Sequence, residues 1–253
     1  MPAQICIFGH SHVWSIRRAI HDIELDDFTF TAPLCGTQAM PGPIVYADRN
    51  GRFQLTSTLA ALFNGLEPSQ DLWLLSMVQG NFYNRLGMLH AGEPFDFVLP
   101  DHADLPLDIE ATHLPYMAMR EALVDEMAEM PPYLELLAAS PFAKQVIIAG
   151  APPPPLENSH FEALLGDQGL MPQLSPAHVR LKLWLLQEEI LEEQCRAHGI
   201  AFVSTNMKDA QDEQGYLLPQ HIKDAVHADG TWSKAYLMKV TGEIRSRMEN
   251  LHD

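Results

Sequence analysis

Gly9-His10-Ser11-His12 follows directly on the apolar run Ile5-Cys6-Ile7-Phe8, and Asp224-Ala225-Val226-His227 lies near the other end of the chain. Together the two segments can supply a nucleophile, a base and an orienter. Acyl transfer asks for a hydroxyl whose proton an imidazole removes, and for a carboxylate that holds the imidazole in the productive tautomer. A serine placed where a buried strand turns into a helix has its hydroxyl pushed out of the sheet, beside free helix N–H groups. Ser11 is therefore read as the nucleophile, His227 as the base and Asp224, within one turn of it, as the orienter. The plainer readings are a helix N-cap for Ser11 and a capping histidine for His227. The place of Asp-x-x-His, after the last apolar run and before the last helix, puts its loop at the carboxyl ends of the strands beside Ser11 and favours catalysis.

Gln79-Gly80-Asn81 follows the third apolar run. A glycine there lets the backbone approach a ligand, and the Asn81 amide can donate to a developing oxyanion. Gly36, just after the second run, is expected to offer its N–H to the same oxygen, alongside that of Ser11. Both residue types also mark ordinary turns. Of the histidines flanking the serine, His12 is expected to help line the pocket and His10 to pack or hydrogen-bond locally. A metal site joining them to His227 and Asp229 is a competing reading, since His and Asp suit several metals. Gly-His-Ser-His also resembles the closing motif of calcineurin-like metallophosphoesterases, but there it follows the other ligand-bearing elements, whereas here it opens the chain. No metal and no organic cofactor is expected.

Five short apolar runs, at residues 4–8, 28–32, 71–78, 145–150 and 200–205, read as strands buried on both faces, which is the signature of a parallel sheet covered by helices. Helical patterns lie between them. Residues 11–23 offer Trp14, Ala19, Ile20 and Ile23 to the core; 59–66 form a second helix; 178–198 set Leu181, Leu185, Ile190 and Leu191 against a Glu-rich face and stop at Gly199. Residues 232–250 close the chain, capped by Thr231 or Asp229. Segments 44–47 and 53–56 flank an Asn-Gly turn and predict a small hairpin. The segment 85–140, with one helix near 116–130, either covers the site or extends the core. Four consecutive prolines from Pro152 must leave the sheet as an extended segment.

At 253 residues the chain can bury its core as one domain, with the hairpin and the 85–140 segment as insertions. Thirty-three acidic residues against 16 Lys and Arg give a net charge of −17, which argues against nucleic acid and anionic membranes as partners. The first apolar run is only a strand's length, so a cytoplasmic location is expected. Cys6, Cys35 and Cys195 lack paired spacing and read as reduced, buried apolar residues.

Taken in order, these blocks resemble the SGNH hydrolases, also called GDSL lipases and esterases. That family carries Gly-Asp-Ser after strand one, a glycine after strand two, Gly-x-Asn after strand three and a final Asp-x-x-His; Ser11, Gly36, Asn81, Asp224 and His227 occupy those places. The resemblance implies a flavodoxin-like three-layer α/β/α sandwich on a five-stranded parallel sheet. It also implies a cofactor-free esterase or acetylesterase that cleaves small carboxylic esters, such as short acyl or O-acetyl groups, some on carbohydrate. Three positions depart from the pattern. His10 replaces the aspartate before the nucleophile, Gly80 is adjacent to Asn81 rather than two before it, which makes Asn84 the alternative donor, and Ala228 stands where proline often follows the histidine. The altered first block also admits a non-catalytic SGNH-like binding domain, and the histidines a metal-dependent phosphoesterase.

Overall fold

The structure, a computed structural model, describes residues 2–40, 42–78, 80–90, 92–166 and 174–251. In chain order its elements are β1 (Ala3–Gly9), α1 (Val13–Ala19), β2 (Phe28–Cys35), α2 (Gly36–Ala39), β3 (Val45–Ala47), β4 (Phe53–Leu55), α3 (Ser57–Asn64), β5 (Leu72–Met77) and α4 (Phe82–Gly87). There follow β6 (Phe95–Asp96), β7 (Thr112–His113), α5 (Tyr116–Glu126), α6 (Met130–Ala138), β8 (Val146–Ala149), α7 (Ser159–Leu165), α8 (Ala177–Ala197), β9 (Ala201–Val203) and α9 (Gly230–Leu251). Gln79 and residues 167–173 lie outside the described residues.

Five strands form one parallel sheet in the order β2-β1-β5-β8-β9. Because strand side chains alternate between faces, consecutive residues sort into two cores. Cys6, Phe8, Leu72, Leu74, Val146 and Ile148 pack on one side with α3, α5, α6 and α8. Ile5, Ile7, Trp73, Leu75, Ile147 and Ala149 pack on the other with α1 and α9. The result is the expected three-layer α/β/α sandwich. Strand β2 departs from the expectation of burial on both faces: it is an edge strand, and its residues alternate in exposure.

Helix α1 is shorter than the expected 11–23 and continues as a 3-10 turn through Ile20–Asp22. Its core residues are Val13, Ile16 and Ala19, while Trp14, expected inside, is 41 % exposed. Arg17 lies over the Trp14 ring, and the indole edge packs against Gly36. The hairpin forms as β3 and β4, antiparallel, with Gly51 at φ +74° in its turn. Asp229, rather than Thr231, caps α9 by accepting from the Trp232 N–H at 2.9 Å. The three cysteines are free and buried.

The 85–140 segment carries two helices where one was expected, and it extends the core: Phe97, Leu99, Met119, Leu123, Met127, Met130, Tyr133 and Leu134 are all buried. It also packs on α8 and meets polar residues of that helix. Lys182 is 1 % exposed and its ammonium sits 2.7 Å from Asp96 of β6, itself fully buried. His178 donates to the other Asp96 oxygen at 3.0 Å. These groups fasten the segment to α8.

Glu188 is the most consequential buried group of α8. It is 8 % exposed, beside Gly150, where any Cβ would overlap its carboxyl. Burial pushes its pKa up to about 7 against the opposing hydrogen bonds from Ser204 and Thr205. The Thr205 hydroxyl has one proton for two acceptors, the Ala151 carbonyl at 2.6 Å and Glu188 Oε1 at 3.2 Å, so a neutral carboxyl that donates at Oε1 relieves the competition. A folded-state pKa above the ordinary carboxylate value makes the stability contribution complete at low pH and lost as pH rises through about 7. Glu188→Gln supplies the same donor at every pH. It is expected to raise Tm at pH 8.5 by at least about 2 °C and to flatten the fall in Tm between pH 5 and 8, as read by calorimetry across that range. An unchanged pH dependence would place the titrating group elsewhere.

Candidate active site

Strand β1 ends at Gly9, whose φ of +152° and position against the Met77 carbonyl leave no room for a Cβ. This close approach lets the chain turn out of the sheet: the His10 N–H donates to the Met77 carbonyl, and the His10 carbonyl accepts from the Val13 N–H at 3.1 Å and the Gly36 N–H at 3.2 Å. Ser11 stands at the turn and its hydroxyl makes no hydrogen bond among the described residues. It is not the N-cap of α1; that position is His12, and no side chain caps the helix.

Ser11 opens onto a cavity of about 540 Å³ lined also by His10, Met40, Asn81, Arg85, Glu126 and Glu129. Arg85 pairs with Glu126 at 3.2 Å, and a Glu129 oxygen accepts the Ile44 N–H at 2.7 Å. The 85–140 segment therefore does both things considered for it, extending the core and supplying one wall beside Ser11. Burial pushes the His10 imidazole below its ordinary pKa, with Glu129 opposing and Arg85 assisting.

Asp224 and His227 meet as their spacing suggested. His227 Nδ1 lies 2.8 and 3.0 Å from the two Asp224 carboxylate oxygens, which fixes its proton on Nδ1. Asp224 Oδ1 also accepts from the Val226 N–H at 3.1 Å and the His227 N–H at 3.0 Å. Burial alone would raise the Asp224 pKa; the Val226 N–H and the His227 charge and hydrogen bond outweigh it and hold the carboxyl below its ordinary range. His227 Nε2 is buried and has no partner. The group positioned to take a proton is thus oriented and unoccupied, although no hydrogen bond joins it to Ser11, and the two line different cavities.

The roles expected around them are distributed differently. The Gly36 N–H, expected at an oxyanion, donates instead to the His10 carbonyl. Asn81 donates from Nδ2 to the Val226 carbonyl at 3.0 Å and accepts at Oδ1 from His12 Nε2 at 3.1 Å, which leaves one N–H of its amide. Asn84, a turn further along in α4, does not line the cavity with Ser11. The expected parts of His10 and His12 are exchanged: His10 lines the cavity, whereas His12 is 3 % exposed, with its ring 5.2 Å from that of His227. The strand-to-helix turn sends His10 with the serine into the cavity and buries His12 under the Asp224–His227 loop. Asp229 is occupied as the α9 cap, and among the described residues no three His, Cys, Asp or Glu side chains are grouped to hold a metal ion. No helix of the described chain is long and apolar enough to cross a membrane.

No family model and no curated protein matches the sequence. Solved structures do. The periplasmic domain of a lipopolysaccharide acetyltransferase from Salmonella ser. Paratyphi A superposes with a TM-score of 0.51 at 15 % identity, over 96 % of this chain and 84 % of that one. The chain shares the three-layer α/β/α fold of that domain. More distant matches are a carbohydrate acetylesterase family member from Sinorhizobium meliloti (TM-score 0.48, 12 % identity, 98 % of this chain and 100 % of that one) and an aryl esterase from M. smegmatis (0.49, 11 %, 96 % and 99 %). Ser11 follows β1, the strand beside the central β5, and the Asp224–His227 loop precedes α9; the His227 ring lies 5.2 Å from that of His12, the residue after Ser11.

Proposed function

We propose that the chain is a serine hydrolase that cleaves small carboxylic esters through an acyl-enzyme on Ser11. The observation that carries this is the Asp224–His227 pair: an imidazole oriented through Nδ1 by both carboxylate oxygens, with Nε2 buried and without a partner. In the reaction, His227 Nε2 takes the Ser11 proton as Oγ attacks the ester carbonyl, and Asp224 stabilises the imidazolium that forms. The imidazolium then gives its proton to the departing alcohol. Water, deprotonated by the same nitrogen, releases the acid from Ser11. The free Asn81 N–H and the Ser11 N–H take the oxyanion, each worth a few kcal/mol in the transition state. No step calls for a cofactor.

The cavity sets His10, Arg85, Glu126 and Glu129 beside Met40, Ile44, Val78 and Phe82, which suits an ester with a polar alcohol portion and a small apolar acyl group, the class to which O-acetyl esters belong. A second reading, a binding domain without turnover, is favoured by one observation: the Gly36 N–H is already held by the His10 carbonyl, so one expected oxyanion donor is withdrawn.

A p-nitrophenyl ester series from acetate to octanoate separates the two. The hydrolase reading predicts saturable turnover that is highest for acetate and unchanged by a chelator. No turnover above a heat-inactivated control would leave the binding reading standing, and loss on chelation would support the metal-dependent alternative.

A further inference from the structure

His12 has no part in the chemistry just described, yet it is buried and belongs to a chain of contacts that ends at the loop of the base. The Val226 carbonyl can only accept, so the Asn81 atom 3.0 Å from it is the amide nitrogen; the oxygen therefore faces His12, and His12 Nε2 must carry the proton of that 3.1 Å contact. Burial, and next the charge of His227, push the His12 pKa down to about 3, so the ring is neutral and Nδ1 is bare at ordinary pH. A neutral ring is also the form that does not oppose an imidazolium forming on His227, 5.2 Å away.

We propose that His12 is a positioning residue for the reaction: its Nε2–H locks the Asn81 amide so that the nitrogen faces both the Val226 carbonyl and the cavity beside Ser11. The inference rests on the acyl-transfer reading. With one hydrogen bond an amide swings about that contact; with a second at its other end, its plane is fixed. Fixing the plane matters because a donor aimed at a developing oxyanion loses its effect with small misplacement. Since Val226 immediately precedes His227, the same amide ties the nucleophile's turn to the loop of the base. The link runs from His12 to Asn81 to Val226, joining segments 69 and 145 residues apart in sequence.

The test is a double-mutant cycle on p-nitrophenyl acetate with His12→Leu, Asn81→Ala and the pair, and His12→Gln as the variant that keeps a donor. His12→Leu should lower kcat about 10- to 100-fold with KM within about twofold, because the loss is confined to the transition state. His12→Gln should recover most of kcat. In the Asn81→Ala background, His12→Leu should cost nothing further. Full kcat in His12→Leu, or losses that multiply in the pair, would overturn the proposal while wild-type turnover and fluorophosphonate labelling of Ser11 leave the acyl-transfer reading intact. A wild type that neither turns over nor labels would instead remove the reading beneath it. Should His12→Leu fail to fold, nitrogen chemical shifts of the wild-type ring decide: an Nε2–H tautomer at pH 7 supports the proposal, and an Nδ1–H or charged ring overturns it.

Discussion

Ser11→Ala is expected to lower kcat/KM on p-nitrophenyl acetate by about 10⁴-fold, leaving only what the oxyanion donors and binding supply. The effect should fall on kcat, because the substitution removes the atom that forms the acyl bond and little that holds the ester. The fold has no stake in the hydroxyl: it makes no hydrogen bond among the described residues and does not cap α1. Tm should therefore stay within about 1 °C, in line with a half-buried change that removes no hydrogen bond. A loss below tenfold, with Tm unchanged, would mean that turnover does not pass through Ser11.

Asp224→Asn is expected to cost nearly as much, about 10⁴-fold at neutral pH, and by a different route. The asparagine oxygen can go on accepting the Val226 and His227 N–H groups, so the turn survives. Its NH2 group then faces His227 Nδ1, which must become an acceptor, and the ring proton moves to Nε2. A base with its proton already on Nε2 cannot take another from Ser11. Asp224→Ala is the poorer probe, since it strips the turn of its acceptor as well. Because the Asp224 carboxyl is held below its ordinary range, first against the desolvation that opposes it, it stays ionised down into the acid region and keeps its hold on the His227 ring there. Activity of Asp224→Asn within tenfold of the wild type at neutral pH would contradict the orienting role.

The sheet was legible because its strands are nearly pure apolar runs: Ile5-Cys6-Ile7-Phe8 and Leu72-Trp73-Leu74-Leu75 feed two opposite cores. Asp224 and His227 were legible because they are local, and three residues are enough to bring carboxylate and imidazole together. What the sequence hid depends on partners distant along the chain. Glu188 read only as part of a Glu-rich face, and Lys182 carried no signal at all, because nothing local indicates that Ser204-Thr205 and β6 meet them. Trp14 read as core because large apolar side chains usually are, yet the first turn of α1 sets it over Gly36 at the surface. His12 and Asn81 each carried a residue-level signal, but their contact follows only from the β1 and β5 turns lying side by side. A polar residue next to a nucleophile, at a position where a short helix must be buried, was the one sign available.

The central claim is that Ser11 carries the acyl group. Incubating the protein with a fluorophosphonate and mapping the adduct by peptide mass spectrometry tests it most directly, with Ser11→Ala treated alongside. One probe mass on the peptide holding Ser11, absent in Ser11→Ala, is the predicted result; ester turnover without that adduct, or with the mass on another residue, would contradict it.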